Sequence, residues 1–499
     1  MTKNIISALL LFCCGVFNLS AITIGTPGSL SSTLTDTSID KLEISGSINA
    51  ADLRFIAELD VDDDGAPVLK NLPNLVSLDL SKATVKECND IFVGNGSIHA
   101  ANTIPTGIFA GTPLKSIVLP SSDGLVILHG AFAGSALETV NIPSTVASVG
   151  DGAFAGCKSL KSAVIGANSL GKGVFSNCDA LKTVEFTKPV DVPENAFYGC
   201  TSLETVKGDI TAAGDRAFAK CPALTSISFS VIYAIGREAF MQSGLESVNL
   251  SGAPVESVGE WAFAMMPNLK SLNLGNASQM GQAVAFACPR LVEFKTAGVD
   301  LADFALTKSL AFESLTVPEG VENIGRYALS GLSGVKTVTL PSSLEMLDDH
   351  AMENMTALDT IYTNTTVVPA LGEDVWAGVS QKDVTLTVPE IVIDDFKNAD
   401  QWQNFNIISE ETLSIDDVAG DSDLTNLRAR IDGDDLIVET DGVEIDNLMI
   451  YNPAGQLLIA VEPMDSTIIV NIAGFGTRLY IIHAALADGR TASLKLAGN

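Results

Sequence analysis

Basic residues are scarce in this chain: 29 Lys plus Arg stand against 60 Asp plus Glu, a formal net charge of −31. Such an excess repels phosphate backbones and anionic lipid surfaces, so nucleic acid is excluded as a partner. Histidines number four, His99, His129, His350 and His483, in unrelated places without paired spacing, and aromatics make up 6% of the chain. Little is left for imidazole catalysis or aromatic cages. No G-x-S-x-G elbow, phosphate-cradling G-x-x-x-x-G-K-[ST] or C-x-x-C pair occurs, so the common signatures of nucleophilic, nucleotide and zinc sites are missing. Charged residues are also few, at 18% against 46% hydrophobic. That balance demands a buried core and rules out disorder.

Long apolar runs are missing too, with one exception. Residues 1–21 carry Lys3, an apolar run from Ile5 to Phe17 and then small or polar residues ending at Ala21. The run is shorter than the about 20 residues a membrane span needs, so it reads as a cleaved export signal. No other segment fits a span, and the mature chain is expected to have none. Phe12 precedes the Cys13-Cys14 pair where a lipoprotein signal would carry a small residue, which argues against a lipid anchor.

What the chain does have is repetition. An A-F-x-G-C piece or a relative of it places an aromatic at Phe109, Phe132, Phe154, Phe175, Phe197, Phe218, Phe240, Phe263 and Phe286, at steps of 21 to 23. Degenerate copies are read at Phe304, Tyr327, Met352 and Trp376. Between anchors recurs L-x-x-V-x-L-P, as in the segments starting at Leu114, Leu137, Leu181, Leu245 and Leu269. Its first, fourth and sixth positions point inward together, and a following V-x-x-I/V-G segment adds a second inward row. One coil cannot bury its apolar side alone. Stacked at about 4.8 Å per rung, some thirteen coils would form a rod or arc about 60 Å long. Glycine after the second segment, as at Gly150 and Gly236, suits a turn that a side chain would obstruct. The A-F-x-G-C piece reads as a short helical turn with its aromatic plugging the interior.

These motifs resemble the BspA-like class of bacterial leucine-rich repeats, over about residues 40–409. The stretch from Ile44 to Leu59, with a helix expected over Asn49–Leu59, resembles the entry cap of such proteins. The ending with Phe396, Trp402 and Phe405 resembles their exit cap. The expected fold is mainly β: a leucine-rich repeat solenoid of parallel stacked coils with short helical turns, then a small antiparallel β-sandwich. The division reads 1–21 signal peptide, 22–105 N-terminal cap and first repeat, 106–409 solenoid with C-terminal cap, 410–427 linker rich in Asp, Ser and Thr, and 428–499 β-sandwich. The last segment, with Ile450-Tyr451-Asn452-Pro453-Ala454-Gly455, Arg478-Leu479-Tyr480-Ile481-Ile482 and Lys495, is similar to the C-terminal sorting domains of the type IX secretion route. A plain accessory β domain is the alternative.

Cys157, Cys178, Cys200 and Cys221, with Cys288 later, fall at one place in the repeat. Parallel rungs hold their Cβ atoms near 4.8 Å, beyond the about 3.5–4.5 Å a disulfide prefers, so buried free thiols are expected. Asp60, Asp62 and Asp64 with Gly65 fit the start of a calcium loop, but Asn71 stands where a bidentate acid would close it. Calcium is the one cofactor to be considered. On the exposed side of the strands, the fifth position of the segment varies most: Asn141, Glu185, Lys207, Asn249, Asn273, Lys295 and Tyr362 are candidate partner-binding residues, with Trp261 as a candidate exposed anchor. The resemblance implies an exported protein, secreted or on the bacterial outer surface, that adheres without catalysis to an extracellular or host protein or a neighbouring cell surface. A structural or carbohydrate-associated accessory of the envelope is the alternative.

Overall fold

The computed structural model describes residues 19–88, 100–297, 300–409 and, within the last part of the chain, 427–432, 435–440, 442–451, 457–461, 465–472, 479–487 and 491–497. Most of the leader and most of the expected linker lie outside the described residues. The chain divides into two compact units: one runs to Lys336 and includes Ser343–Leu358 and Pro369–Ser380, and the other holds Thr337–Ser342, Asp359–Val368 and everything from Gln381 on.

The first unit opens on parallel strands. Leu19–Ile24 pairs with Lys41–Ile48, which pairs with Ser77–Val85 and so with Ser116–Val118. The helix is Ala50–Ala57, shorter than expected because the chain turns extended at Glu58. Asn49 caps it in a reciprocal box with Asp52. Asp52 is buried, and its two oxygens also accept the backbone N–H groups of Gly28 at 2.7 Å and Leu30 at 2.9 Å. A carboxylate with that many donors stays satisfied away from water.

Then the coils begin. Thr139–Ile142, Ser162–Ile165 and Thr183–Phe186 pair parallel and in register, so Val140, Ala163 and Val184 stack inside while Asn141 and Glu185 stay exposed. Alternation on a pleated strand forces that split. The second segments stack likewise, as in Leu125–Ile127 with Val146–Val149. Gly150 and Gly236 sit where expected, for a steric reason: a Cβ at Gly150 would lie 2.7 Å from the His129 nitrogen, and one at Gly236 2.7 Å from that of Asp215.

The corner of each coil is a run of i→i+3 turns. Ala155 N–H donates to Gly152 and Cys157 N–H to Phe154, but two left-handed residues per corner, Gly152 and Gly156 here, stop any helix from propagating. Corner N–H groups also reach the next coil, as Phe132 to Ala153 at 2.7 Å and Phe154 to Val174 at 2.8 Å. This third ladder fixes the aromatic column. Rings from Phe109 through Phe263 lie parallel, 5.0–5.5 Å between centroids, and fully buried.

Three expected plugs prove to be elsewhere. Phe263 N–H donates to Val284, so the plug of the next coil is Ala285, and Phe286 lies one residue further on, half-buried. Following the same bonds, the plugs after it are Leu306 and Leu329, while Phe304 and Tyr327 occupy the left-handed corner two residues earlier, with φ of 60° and 55°. Met352 and Trp376 do plug their coils and are buried.

In the second unit, Thr337–Leu340, Thr360–Thr363, Thr385–Val388 and Asn406–Ser409 form a parallel sheet. Beside its last strands the helix Ile393–Asn398 and the turn Trp402–Asn404 bury Phe396, Trp402 and Phe405, with Phe396 edge-on to Trp402 at 5.2 Å. The expected cap residues pack together. From Arg428 the strands are antiparallel, in two sheets, Arg428–Asp432, Asp435–Glu439 and Thr467–Asn471 in one, and Leu457–Val461, Ile445–Tyr451, Leu479–Leu486 and Thr491–Ala497 in the other. Leu436, Val438, Leu448, Ile450, Val470 and Ile482 build their shared core, as in a small β-sandwich.

Candidate binding face

Register brings most of the variable strand residues together in rows. Asn141, Val164, Glu185 and Lys207 are partners on successive strands, as are Asn249, Asn273 and Lys295. All but the half-buried Asn273 and Val164 are exposed. Tyr362 lies in the second unit between Thr339 and Thr387, half-buried. The Lys295 ammonium is already held by Glu293 on its own strand at 2.6 Å. Three positions before these rows, opposite charges meet across rungs: Lys161 with Glu138 at 2.7 Å, Lys182 with Glu204 at 3.2 Å and Lys270 with Glu246 at 2.7 Å. Hydrogen bonds from Lys161 and Lys270 hold the Glu138 and Glu246 carboxyls below the usual carboxylate range.

The two rows are separated by a break. Ser226–Ser228 pairs with Thr205–Ala213 but not with the next strand, Ser247–Asn249, which begins a sheet of its own. On the other sides the same coils stay joined: Ala234 pairs with Ser257 and Ile235 with Val258, and the Phe218, Phe240 and Phe263 rings remain stacked. Gly244 packs against the Pro222 carbonyl so closely that a Cβ there would overlap it. The coils therefore splay on one side only. The extra length falls after the first strand: from Ser226 to Ala234 is 8 residues, and from Ser247 to the paired Ser257 is 10. A groove of about 530 Å³ opens there, with Thr225, Ser226, Ser228, Ser230, Ser247 and Asn249 around Ile227, Phe229 and Leu245. Sequence reasoning missed it; the longer link from Ser247 to Ser257 was its signal.

Trp261 stands apart from these rows. It occupies the left-handed corner, φ 57°, half-buried, with its ring 5.1 Å from that of Phe286. In later coils the same corner holds Phe304, Tyr327 and His350, whose rings stack in turn at 5.2 Å and 4.7 Å. This outer aromatic row was also missed, because the repeat was aligned on its aromatics instead of its turn positions.

Corner acids have structural work as well. Asp151, Asp215, Asp303 and Asp349 each accept the backbone N–H that follows the close-packed glycine of the next coil, at Lys172, Arg237, Arg326 and Glu373, at 2.8–2.9 Å. Asp60, Asp62 and Asp64 lie at a hairpin, Leu59–Val61 against Pro67–Leu69, where Asp62 accepts the N–H groups of Asp64 and Ala66. Among the described residues no three His, Cys, Asp or Glu side chains are grouped so as to hold a metal ion. His129 faces Asp151 at 3.7 Å, His350 stacks on Tyr327, His483 lies in an antiparallel strand and His99 is outside the described residues.

The repeated cysteines are buried and unbridged. Each thiol donates to a phenylalanine carbonyl of the preceding coil, Cys157 to Phe132, Cys178 to Phe154, Cys200 to Phe175, Cys221 to Phe197 and Cys288 to Phe263, at 3.1–3.2 Å. Burial pushes the Cys221 and Cys288 thiols up to about 12. They are inert structural groups. Among the described residues no helix is long and apolar enough to cross a membrane.

Comparison with known proteins agrees with this architecture. The family model of the BspA type leucine rich repeat region matches in six copies over residues 102–221, 211–298 and 299–419. A leucine-rich repeat protein from Bacteroides ovatus is 17% identical, with 73% of this chain and 91% of that one covered and a TM-score of 0.48. A leucine rich cell surface protein from Faecalibacterium prausnitzii is also 17% identical, covering 61% and 92%, with a TM-score of 0.30. The pneumococcal vaccine antigen PcpA is 14% identical, covering 75% and 80%, with a TM-score of 0.30. No curated protein sequence matches. With in-register coils, a turn-bonded corner and a repeat model matched over most of its length, the chain belongs to the BspA-type leucine-rich repeat family.

Proposed function

We propose that this is an exported, secreted or surface-held protein of the bacterial exterior that binds an extracellular protein, of a host or a neighbouring cell, through the exposed side of its parallel strands and without catalysis. One observation carries the reading: a regular inward lattice leaves outward-facing rows at Asn141, Glu185 and Lys207 and at Asn249, the half-buried Asn273 and Lys295, where residue type varies from coil to coil without disturbing the core. Variation over a fixed scaffold is how a repeat surface encodes recognition. Many modest contacts give such a face its affinity, dominated by a few anchors.

Immobilised protein presented to intact cells tests this. Glu185→Ala with Lys207→Ala and Asn249→Ala lowers the number of adherent cells, while Lys172→Ala at a coil corner does not; equal adherence by all would move the interface elsewhere. Export is tested separately. Removal of the leader after Ala21 keeps Ile22–Ile24 paired with Ile44–Gly46, so the exported protein begins at Ile22 on N-terminal sequencing. A chain ending near Leu427 that reaches the surface as well as the full chain would remove the sorting role of the last domain.

A further inference from the structure

The break between Ser226–Ser228 and Ser247–Asn249 leaves two strands of the same direction side by side, each at the edge of its own sheet. A strand edge is a row of main-chain donors and acceptors spaced for another strand. Pairing also stops between Ser116–Val118 and Thr139–Ile142 and between Glu293–Lys295 and Ser314–Thr316; here both edges border a groove. Its rim is hydroxyl and amide, with Ser228, Ser247 and Asn249, its floor holds Ile227 and Phe229, and no ionisable side chain lines it, although the chain as a whole carries −31. A charged ligand finds no counter-ion there. A short neutral segment in extended form matches on both counts, since its backbone pairs with the flanking edges and its alternate side chains face floor and solvent. The volume, about 530 Å³, is that of a small-ligand pocket, which suits a few residues of chain.

We infer that this groove is a peptide slot: an uncharged extended segment of the partner protein inserts between the strands Ser226–Ser228 and Ser247–Asn249 and pairs with their backbones. The assignment rests on the protein-binding reading above and names what that face grips. Gly252 borders the slot, and a Cβ added there meets nothing within 4 Å, so a leucine at this position fills the slot without forcing the backbone.

The test uses the full chain and a blocked peptide of alternating serine and valine, about eight residues long. Expected are saturable binding below about 1 mM, slower hydrogen exchange of the amides in Ser226–Ser228 and Ser247–Asn249, and binding at least about tenfold weaker to Gly252→Leu and to the same peptide N-methylated at alternate amides. Absence of saturable binding overturns the slot, as does equal binding of the N-methylated peptide. Protection of those amides by maltotetraose and not by peptide would make it a saccharide site and overturn it too. Should Gly252→Leu melt early, the N-methylated peptide decides alone. Cell adherence that survives in Gly252→Leu while peptide binding fails sinks the slot and leaves the surface reading standing.

Discussion

The Tyr327 ring lies flat against the His350 imidazole, 4.7 Å between centroids and 6° from parallel. Both residues take the left-handed corner of successive coils, and Phe304 takes it in the coil before, 5.2 Å from Tyr327. Tyr327 is thus the middle of three stacked rings. Tyr327→Ala keeps the strained corner but removes both ring contacts, so it lowers stability by about 1–3 kcal/mol. Urea unfolding reads this directly; an unchanged midpoint would mean that the rings merely coincide.

Membership of the inner column separates two phenylalanines that look alike in sequence. Phe175 is fully buried between Phe154 and Phe197, whereas Phe286 is half-buried against Trp261. Phe175→Ala costs about 3–5 kcal/mol, and Phe286→Ala much less, because water replaces part of what it leaves. Equal losses by the two variants would contradict the shifted register.

Backbone conformation gives a pair of opposite effects. Ala287 has φ 54° at a corner that glycine fills in sister coils, as at Gly134, Gly156 and Gly199. Ala287→Gly therefore raises stability by up to about 1 kcal/mol. Gly208 has φ 86°, and a Cβ there would overlap the Phe186 carbonyl; Gly208→Ala lowers it by at least about 1–3 kcal/mol. Chemical denaturation of the two variants beside the parent checks both signs.

Thiol burial makes stability depend on alkaline pH. Cys221 and Cys288 hold their protons to about pH 12 when folded, against an ordinary 9.0. Between those values the unfolded chain has lost protons that the folded chain retains, so stability is complete below about pH 9 and falls by up to about 1.4 kcal/mol per pH unit for each thiol as pH rises towards 12. Cys221→Ala with Cys288→Ala makes that slope shallower, the raised Cys157 and Cys178 thiols keeping the remainder. In the same series, Ellman's reagent at pH 8 leaves the buried thiols of the native protein untouched and modifies them after guanidinium is added.

The repeat was legible in the sequence because its signals are packing signals: an apolar residue every second strand position and a phenylalanine each coil. From Thr139 to Phe263 those residues sit where the period puts them. Phe286, Phe304 and Tyr327 misled because aromatic identity and coil position part company after Phe263. Ala285, Leu306 and Leu329 fill the plug there, and the rings move to the corner, where only backbone geometry marks the position. The rows at Asn141 and Asn249 were legible from alternation. The groove between them was not, since whether neighbouring strands pair depends on how the longer link after Asn249 is taken up in space. Trp261 was legible as an outlier but not in its surroundings, which Phe286 supplies from the next coil.

The corner hydrogen bonds all run one way: Phe109 donates to Ala131, Phe154 to Val174, Phe218 to Ala239 and Met352 to Val375, always towards the later coil. Peptide dipoles aligned head to tail add, as along a helix axis. The row thus ends with its positive pole at the late coils, where Asp348, Asp349, Glu353, Glu373 and Asp374 are gathered. Acidic side chains at that pole are electrostatically welcome, and a segment reversed in direction could not join the row without opposing it.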